Sequence, residues 1–479
     1  MPPVLLDRAG RPVPEHALAE FVQAVRGRAL SPSDPGYDDA RRVFNAMVDR
    51  RPGLVVQPVD TEDVQHAVRF ARRHDVLVSI KGGGHSAPGH AVCDDGLLVD
   101  LSRMRAIAVD PAARVAIAEG GATWGEFDEA TQRYGLAVTG GRIRGTGIGG
   151  LTLGSGSGWL ERKLGFTVDN LLAAEVVLAN GERVRASADE HADLFWGLRG
   201  GGGNYGVATR FEYRLHPLGP LVWGGLLIFP CDGREGAVLR AYRDFMEGAP
   251  DDVAGGAALI TVPPLPGVPE GLGGATALAV IPIYFGPIEG AEAAFDPILR
   301  LGPAARMVQP MPYVAVQSLL DEANPPGRRN YWKADNYGSL PDEAIDALLQ
   351  SAARPVSPFT TVLVQPMGGA AARIPDDATA MGWRQARWAL HILGMWEDAR
   401  EDERQIAWVR GVSEALRPWA SKGTYLNYLM DEGEGRVRES FGAHYARMVA
   451  IKDTYDPGNF FCMNQNIKPS ALAGSAAGA

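Results

Sequence analysis

Cysteine is scarce: Cys93, Cys231 and Cys462 are the only three in 479 residues. Three scattered thiols make neither a disulfide framework nor a metal cluster. No histidine, cysteine and carboxylate stand together at metal-ligand spacing, so no metal is expected. Positive charge is also short. Lys and Arg total 47 against 57 Asp and Glu, a formal net charge of −10, which argues against nucleic acid or an anionic membrane surface as partner. No apolar run approaches the ~20 residues of a membrane span. The opening Met1-Pro2-Pro3-Val4-Leu5-Leu6-Asp7-Arg8 has no apolar signal core, and a cytoplasmic location is expected. Two nucleotide signatures are missing too. There is no Gly-x-x-x-x-Gly-Lys-Ser/Thr loop, and no glycine run opens a strand–loop–helix unit with an acidic residue ~20 positions on. These absences exclude the usual nucleoside-triphosphate and nicotinamide chemistries. No internal repeat is present.

Glycine, by contrast, is abundant, with 59 residues. It collects in three runs. The first is Lys81-Gly82-Gly83-Gly84-His85-Ser86, just after the apolar run Val76–Ile80. The second stretches from Gly145-Thr146-Gly147-Ile148-Gly149-Gly150 through Leu151-Thr152-Leu153-Gly154-Ser155-Gly156-Ser157-Gly158. The third is Gly200-Gly201-Gly202-Gly203-Asn204-Tyr205-Gly206. Glycine is used where a chain takes positive φ or brings its N–H groups close to a ligand. Three such runs point to a large anionic cofactor held by backbone amides.

Apolar periodicity predicts helices over 15–30 and 36–48. Strands are predicted at 54–58, 76–80, 97–101, 115–118, 172–178 and 209–215, with a helix from Thr61, read as its cap, to His74. Asn180-Gly181 is a hairpin signal. Beyond Pro217 the pattern is strands at 226–229, 278–284, 360–364 and 388–395 with helices at 236–247, 341–351 and 401–416. This predicts an antiparallel sheet with helices on one face. A single helix is predicted over 437–454. The charge run Asp398, Arg400, Glu401, Asp402 and Glu403 reads as a solvated helix start rather than an acid/base pair.

At these residues the chain resembles FAD-linked oxidoreductases with a PCMH-type, vanillyl-alcohol-oxidase-like FAD domain, and most closely the berberine-bridge-enzyme-like branch. The resemblance rests on the first two glycine runs, on Gly165-Phe166-Thr167-Val168-Asp169-Asn170-Leu171, and on Asp193-Leu194-Phe195-Trp196-Gly197-Leu198-Arg199-Gly200-Gly201. It continues in Asn204-Tyr205-Gly206-Val207, Tyr425-Leu426-Asn427-Tyr428, and Tyr455-Asp456-Pro457-Gly458-Asn459-Phe460-Phe461 with Asn464-Gln465-Asn466. It implies a two-domain α+β fold. Residues 1–217 form the FAD domain with its core at 51–217, residues 218–422 the substrate domain, and residues 423–469 a strip returning to the flavin. Residues 470–479 are expected to be a disordered tail.

The resemblance also implies roles. His85 is the attachment point for the flavin 8α-methyl, a role suited to a neutral imidazole nucleophile. The cofactor set is His85, Gly82, Gly83, Gly84, Ser86, Thr146, Gly147, Gly149, Gly150, Leu153, Gly154, Gly156, Gly158, Val207, Asn427, Asn464 and Asn466. Where some relatives attach flavin a second time through cysteine, this chain has Ile143, so a single covalent link is expected. Thr146 occupies the position of an oxygen gate, and its small side chain favours an oxidase. His391 stands where relatives carry a glutamate or glutamine, five residues before Trp396. Strand alternation puts Ala389, His391 and Leu393 on one face and Leu390 and Ile392 on the other. His391 is the candidate base, with Tyr425 and Tyr428 as further proton acceptors, while Lys333 reads as a structural lysine. His444 replaces an asparagine frequent in relatives.

The implied activity is oxidation of a small organic substrate by hydride transfer to covalent FAD, with oxygen reduced to hydrogen peroxide. A dehydrogenase using another acceptor, or a non-catalytic flavin-binding protein of the same fold, are the alternatives.

Overall fold

The chain is described here by a computed structural model covering residues 5–264 and 266–473. It is an α+β protein built on three main sheets. The first has four strands in the order Arg28–Leu30, Leu54–Gln57, Leu97–Asp100, Val78–Lys81. Leu54–Gln57 and Leu97–Asp100 are buried at every position. Continuous apolar strands of this kind are those covered on both faces, and both pairings of Leu97–Asp100 are parallel. The crossover this requires is the helix Thr61–Arg73. Its cap is Asp60, whose carboxylate accepts the Glu62 and Asp63 N–H groups. Thr61 instead sends its hydroxyl to the Glu175 carboxylate at 2.8 Å.

The expected helix over 15–30 stops at Ala24, and Arg28–Leu30 is an edge strand pairing with Leu54–Gln57. Gly27 permits this turn into the sheet, since a Cβ there would overlap the Gln57 carbonyl. The expected helix over 36–48 shrinks to Tyr37–Arg41. The segment after it serves contacts made across the fold. Phe44 N–H donates to the Gly84 carbonyl at 3.0 Å, and Asn45 Nδ2 donates to Ala87 O at 2.7 Å and Asn330 O at 2.9 Å.

The second sheet is antiparallel, in the order Ile107–Asp110, Val115–Glu119, Val207–Arg214, Leu171–Val177, Arg183–Ser187. Its last two strands form the hairpin signalled by Asn180-Gly181, with Gly181 at φ 79°.

The third sheet has seven antiparallel strands, in the order Ala305–Pro312, Leu221–Pro230, Thr276–Tyr284, Val253–Thr261, Thr361–Pro366, Trp388–Trp396, Arg329–Tyr337. One face packs on the helices Glu235–Gly248, Ala291–Leu299, Asp342–Ala352 and Asp402–Leu416, with Leu227, Leu239, Phe295, Ile345 and Val412 in the shared core. The other face turns toward the glycine runs. The charge run starts the last of these helices: Asp398 caps a short turn by accepting the Arg400 N–H, and Asp402 pairs with Arg329.

The expected helix over 437–454 is two helices, Glu434–Phe441 and Tyr445–Tyr455, broken where Gly442 takes φ 52°. Buried Lys452 ties the second to its surroundings, donating to Asp456 at 2.7 Å, Asn204 O at 2.7 Å and Phe461 O at 2.9 Å. Three strong bonds are what a buried ammonium requires. They fasten the C-terminal segment to the third glycine run. Ser470–Ala473 is a helical turn rather than disordered chain, and the rest of the expected tail lies outside the described residues.

Candidate active site

Two glycine runs meet back to back. A Cβ on Gly83 would overlap Gly147 N, and a Cβ on Gly147 would overlap Gly83 N, so neither position admits a side chain. The contact forms one wall of a cavity of about 890 Å³. That volume lies in the upper part of the ~300–1,000 Å³ usual for small-molecule sites.

Most of the expected cofactor set lines this cavity: Gly82, Gly83, Gly84, His85, Ser86, Thr146, Gly147, Gly149, Gly150, Leu153, Val207, Asn427 and Asn464. Gly154, Gly156, Gly158 and Asn466 are not among the lining residues. The three glycines have packing reasons instead. A Cβ on Gly154 would collide with the Asn427 side chain, one on Gly158 with Gly140 O, and Gly156 sits at φ 76° against Thr167. The Asn466 Oδ1 is buried without a hydrogen-bond partner.

His85 is half-buried, at the cavity wall. Its ring stacks on Phe44 with centroids 4.5 Å apart and 20° between planes. Burial pushes its pKa down to about 4, so the imidazole is neutral at pH 7. Its Nε2 faces the Gly145 backbone, where a Cβ would stand 3.4 Å away. Ile143 and Thr146, on that same loop, also line the cavity. None of the three cysteines does.

An aromatic cluster also lines the cavity, joined to His85 through Phe44 and Trp332. His391 stacks on Tyr428 at 3.8 Å and 18°, Tyr428 meets Tyr425 edge-on at 4.6 Å, and Trp332 stands edge-on to His391 at 5.2 Å. All four rings line the cavity. His391 is 3% exposed, and its Nε2 has no hydrogen-bond partner. Burial, and secondarily Arg142, push its pKa down to about 3. The Tyr425 hydroxyl accepts from Ser157 N–H at 3.0 Å and Asn427 Nδ2 at 2.8 Å, and burial raises its pKa. Burial also raises the Tyr428 pKa, partly offset by Arg142, whose Nη1 donates to the phenol oxygen at 3.4 Å.

The cluster rests on a polar network that sequence reasoning missed. Arg142 donates to Ser157 Oγ at 3.2 Å and to Glu161 Oε2 at 3.5 Å. Ser157 donates to Glu161 at 2.5 Å, and Gln365 Nε2 reaches Ser157 at 3.0 Å and Glu161 at 2.6 Å. Arg142 adjoins Ile143 and Ser157 lies inside the second glycine run, so their neighbourhood was visible, but nothing local marks Glu161 or Gln365. Lys333 pairs with Glu432, and His444 meets Trp196 edge-on at 5.5 Å; neither lines the cavity.

The donor set fits FAD. Gly150 and Gly203 line the cavity, and a Cβ added at either would meet nothing within 4 Å, so their bare backbones leave room where a side chain would intrude. Asn464 donates from Nδ2 to Gly203 O at 3.0 Å and keeps a buried, unpartnered Oδ1. The neutral His85 imidazole and the His391 ring both line the cavity.

Comparison with known proteins agrees with this arrangement. The FAD binding domain family matches residues 52–187, and the berberine and berberine-like family matches residues 424–468. The uncharacterized FAD-linked oxidoreductase YgaK of Bacillus subtilis is 30% identical over 459 residues, covering 92% of this chain and 97% of the relative. The crystal structure of 6-hydroxy-D-nicotine oxidase from Arthrobacter nicotinovorans superposes with a TM-score of 0.84 at 25% identity, covering 93% of this chain and 98% of that one. Chitooligosaccharide oxidase shares the fold, with a TM-score of 0.83 at 21% identity over 95% of this chain and 99% of its own.

Proposed function

The chain belongs to the berberine-bridge-enzyme-like FAD-linked oxidoreductases, and from that membership we propose that it is an oxidase of a small organic substrate, its FAD held by one covalent bond to His85. The observation that carries this reading is one cavity lined by His85, the paired glycine runs and the His391–Tyr428 stack. When bound, FAD supplies the two-electron acceptor and passes its electrons on to oxygen, which becomes hydrogen peroxide.

The chain's own residues do the rest. Residues 1–217 and 423–469 hold the cofactor, and residues 218–422 present the substrate. His85, kept neutral by burial, has a lone pair free for bond formation. The second covalent link is blocked by Ile143, which has no sulfur to offer. His391, whose imidazole lines the cavity, takes the substrate proton. Tyr428 braces the imidazole by stacking, and Arg142 fixes the phenol in turn. Tyr425, its lone pairs already engaged by Ser157 and Asn427, holds the C-terminal strip against the second glycine run. Thr146 leaves space for oxygen.

The test needs no known substrate. Dithionite-reduced wild-type protein is mixed with oxygen in a stopped-flow cell, and Thr146→Leu is run beside it. The wild type reoxidises rapidly with peroxide formed, and the leucine variant reoxidises at least about tenfold more slowly, a difference of ~1.4 kcal/mol in barrier. Reoxidation by a quinone or dye but not by oxygen would assign the protein to the dehydrogenases.

A further inference from the structure

The helix Trp124–Gln132 packs against the short helix Tyr313–Val316, which follows the edge strand Ala305–Pro312 of the seven-stranded sheet. Between them the two elements enclose a polar pair. Asp128 is 2% exposed, and Gln317, the residue that closes the short helix, is 1% exposed. Gln317 Nε2 donates to Asp128 Oδ2 at 3.0 Å and to the Gly141 carbonyl at 3.2 Å, so both its N–H groups are used. The other oxygens of the same two side chains, Asp128 Oδ1 and Gln317 Oε1, are buried without a hydrogen-bond partner. A carboxylate has no proton to donate, and an ionised Asp128 sets acceptor against acceptor here. A carboxylic acid supplies the missing donor. Its O–H gives to Oε1 while the amide N–H gives to Oδ2, and the pair becomes reciprocal.

The surrounding charges leave this balance to burial. Arg144 and Glu129 are the charged neighbours that act on Asp128. They pair with each other, and their influences on it are opposite in sign. The Arg144 N–H is in turn accepted by Asp321 at 2.9 Å. Tyr313 stays a neutral phenol, because burial and Asp128 both push its pKa up. Burial is the largest influence on Asp128 and raises its pKa to about 7.

Gly141 is where the pair reaches the flavin site. It lines the cavity, and a Cβ there would stand 3.4 Å from the Thr146 Cβ. Fixing the Gly141 backbone therefore limits where Thr146 can lie. The next residue, Arg142, is held separately by Ser157 and Glu161, so the tie at Gly141 bears on Thr146 and not on the His391 side.

On the oxidase reading above, we propose that Asp128 is a positioning residue held as a neutral acid, forming with Gln317 a reciprocal acid–amide pair that fixes Gly141 and, through it, Thr146 on the oxygen side of the flavin. When the Asp128 proton passes to water, the O–H bond to Oε1 is lost and the two oxygens repel. The amide then turns and releases the Gly141 carbonyl.

The experiment records infrared difference spectra of the holoenzyme, wild type minus Asp128→Asn, from about pH 5 to 9. At each pH the rate at which oxygen reoxidises dithionite-reduced flavin is measured beside them. Wild type should show the C=O band of a hydrogen-bonded carboxylic acid, half lost near pH 7. Its reoxidation should slow about threefold as the band disappears, roughly the worth of one hydrogen bond. Asp128→Asn, whose amide donates to Oε1 at every pH, should hold a level rate. Gln317→Leu keeps the acid and removes its partner. It should move the band to the higher frequency of an unbonded acid and reoxidise slowly at every pH. No acid band at any pH, or a band that Gln317→Leu leaves in place, would overturn the pair. A wild-type rate that does not follow the band would overturn the positioning role. Oxygen that fails to reoxidise wild type at every pH would overturn the oxidase reading, and the band alone would then decide for or against the pair.

Discussion

His391 shows how burial changes what a residue can do. A free imidazole titrates near pH ~6.5. Here removal from water, with the Arg142 charge adding to it, makes the imidazolium costly and pushes the pKa down to about 3. The sign is clear: acidification from pH 8 to pH 5 leaves His391 neutral, because its pKa lies below that window. The rate of anaerobic flavin reduction should therefore stay level across pH 8 to 5, and His391→Ala should lower it by about 10²–10⁴-fold without loss of flavin. An acid limb near pH ~6.5 in wild type, or an alanine variant reducing within a few-fold of it, would move the role to Tyr428, and Tyr428→Phe would then carry the loss. Alternation along the strand made the facing of His391 legible in advance. Its stack on Tyr428 was not, because that contact joins strand Trp388–Trp396 to the C-terminal strip, and no local pattern encodes a contact of such long range.

At the scale of elements, the glycine runs do two different jobs that composition cannot separate. Gly147 has an ordinary φ of −68°, so its glycine identity comes from the backbone of Gly83 against it and not from conformation. Gly150 sits inside the helix Ile148–Leu153 with open space beside it. Gly147→Ala should thus destabilise the protein by about 1–3 kcal/mol, the scale of overpacking where nothing can yield. In the flavin-free His85→Ala background, Gly150→Ala should match its parent or gain ~0.5–1 kcal/mol from helix propensity, since its methyl would stand in the empty cavity. Urea unfolding of the two variants, each against its parent, checks this, and equal shifts would contradict the account. The same contrast explains where sequence reading falls short. Val253–Thr261 gives no strand signal because Gly255 and Gly256 interrupt its apolar run. Ala305–Pro312 and Arg329–Tyr337 give none because they are edge strands, where prolines and alternating polar residues are tolerated. The helix expected over 15–30 ends at Ala24, and Gly27, packed against the Gln57 carbonyl, lets the chain enter the sheet.

At the scale of the whole molecule, the site exists only because distant parts of the chain converge. The first glycine run, the Trp388–Trp396 strand and the 425–428 strip close one cavity. Motifs in order along the sequence made the fold class and the cofactor wall readable. The sheet face that turns toward the glycine runs was not, since it is spread over strands that each look like ordinary core. The polar network beneath Tyr428 was hidden for the same reason, as Glu161 and Gln365 meet only after the sheet docks on the second glycine run.

We propose that this convergence sets His85 to bond the flavin as its only covalent link. The most direct measurement is denaturation of the purified protein in acid, followed by peptide mapping of the precipitate by mass spectrometry. The yellow chromophore should remain with the chain and map to the peptide bearing His85, with no flavin on Cys93, Cys231 or Cys462, and His85→Ala should release it into the supernatant. A wild-type chain that precipitates colourless, its flavin wholly in solution, would contradict the account.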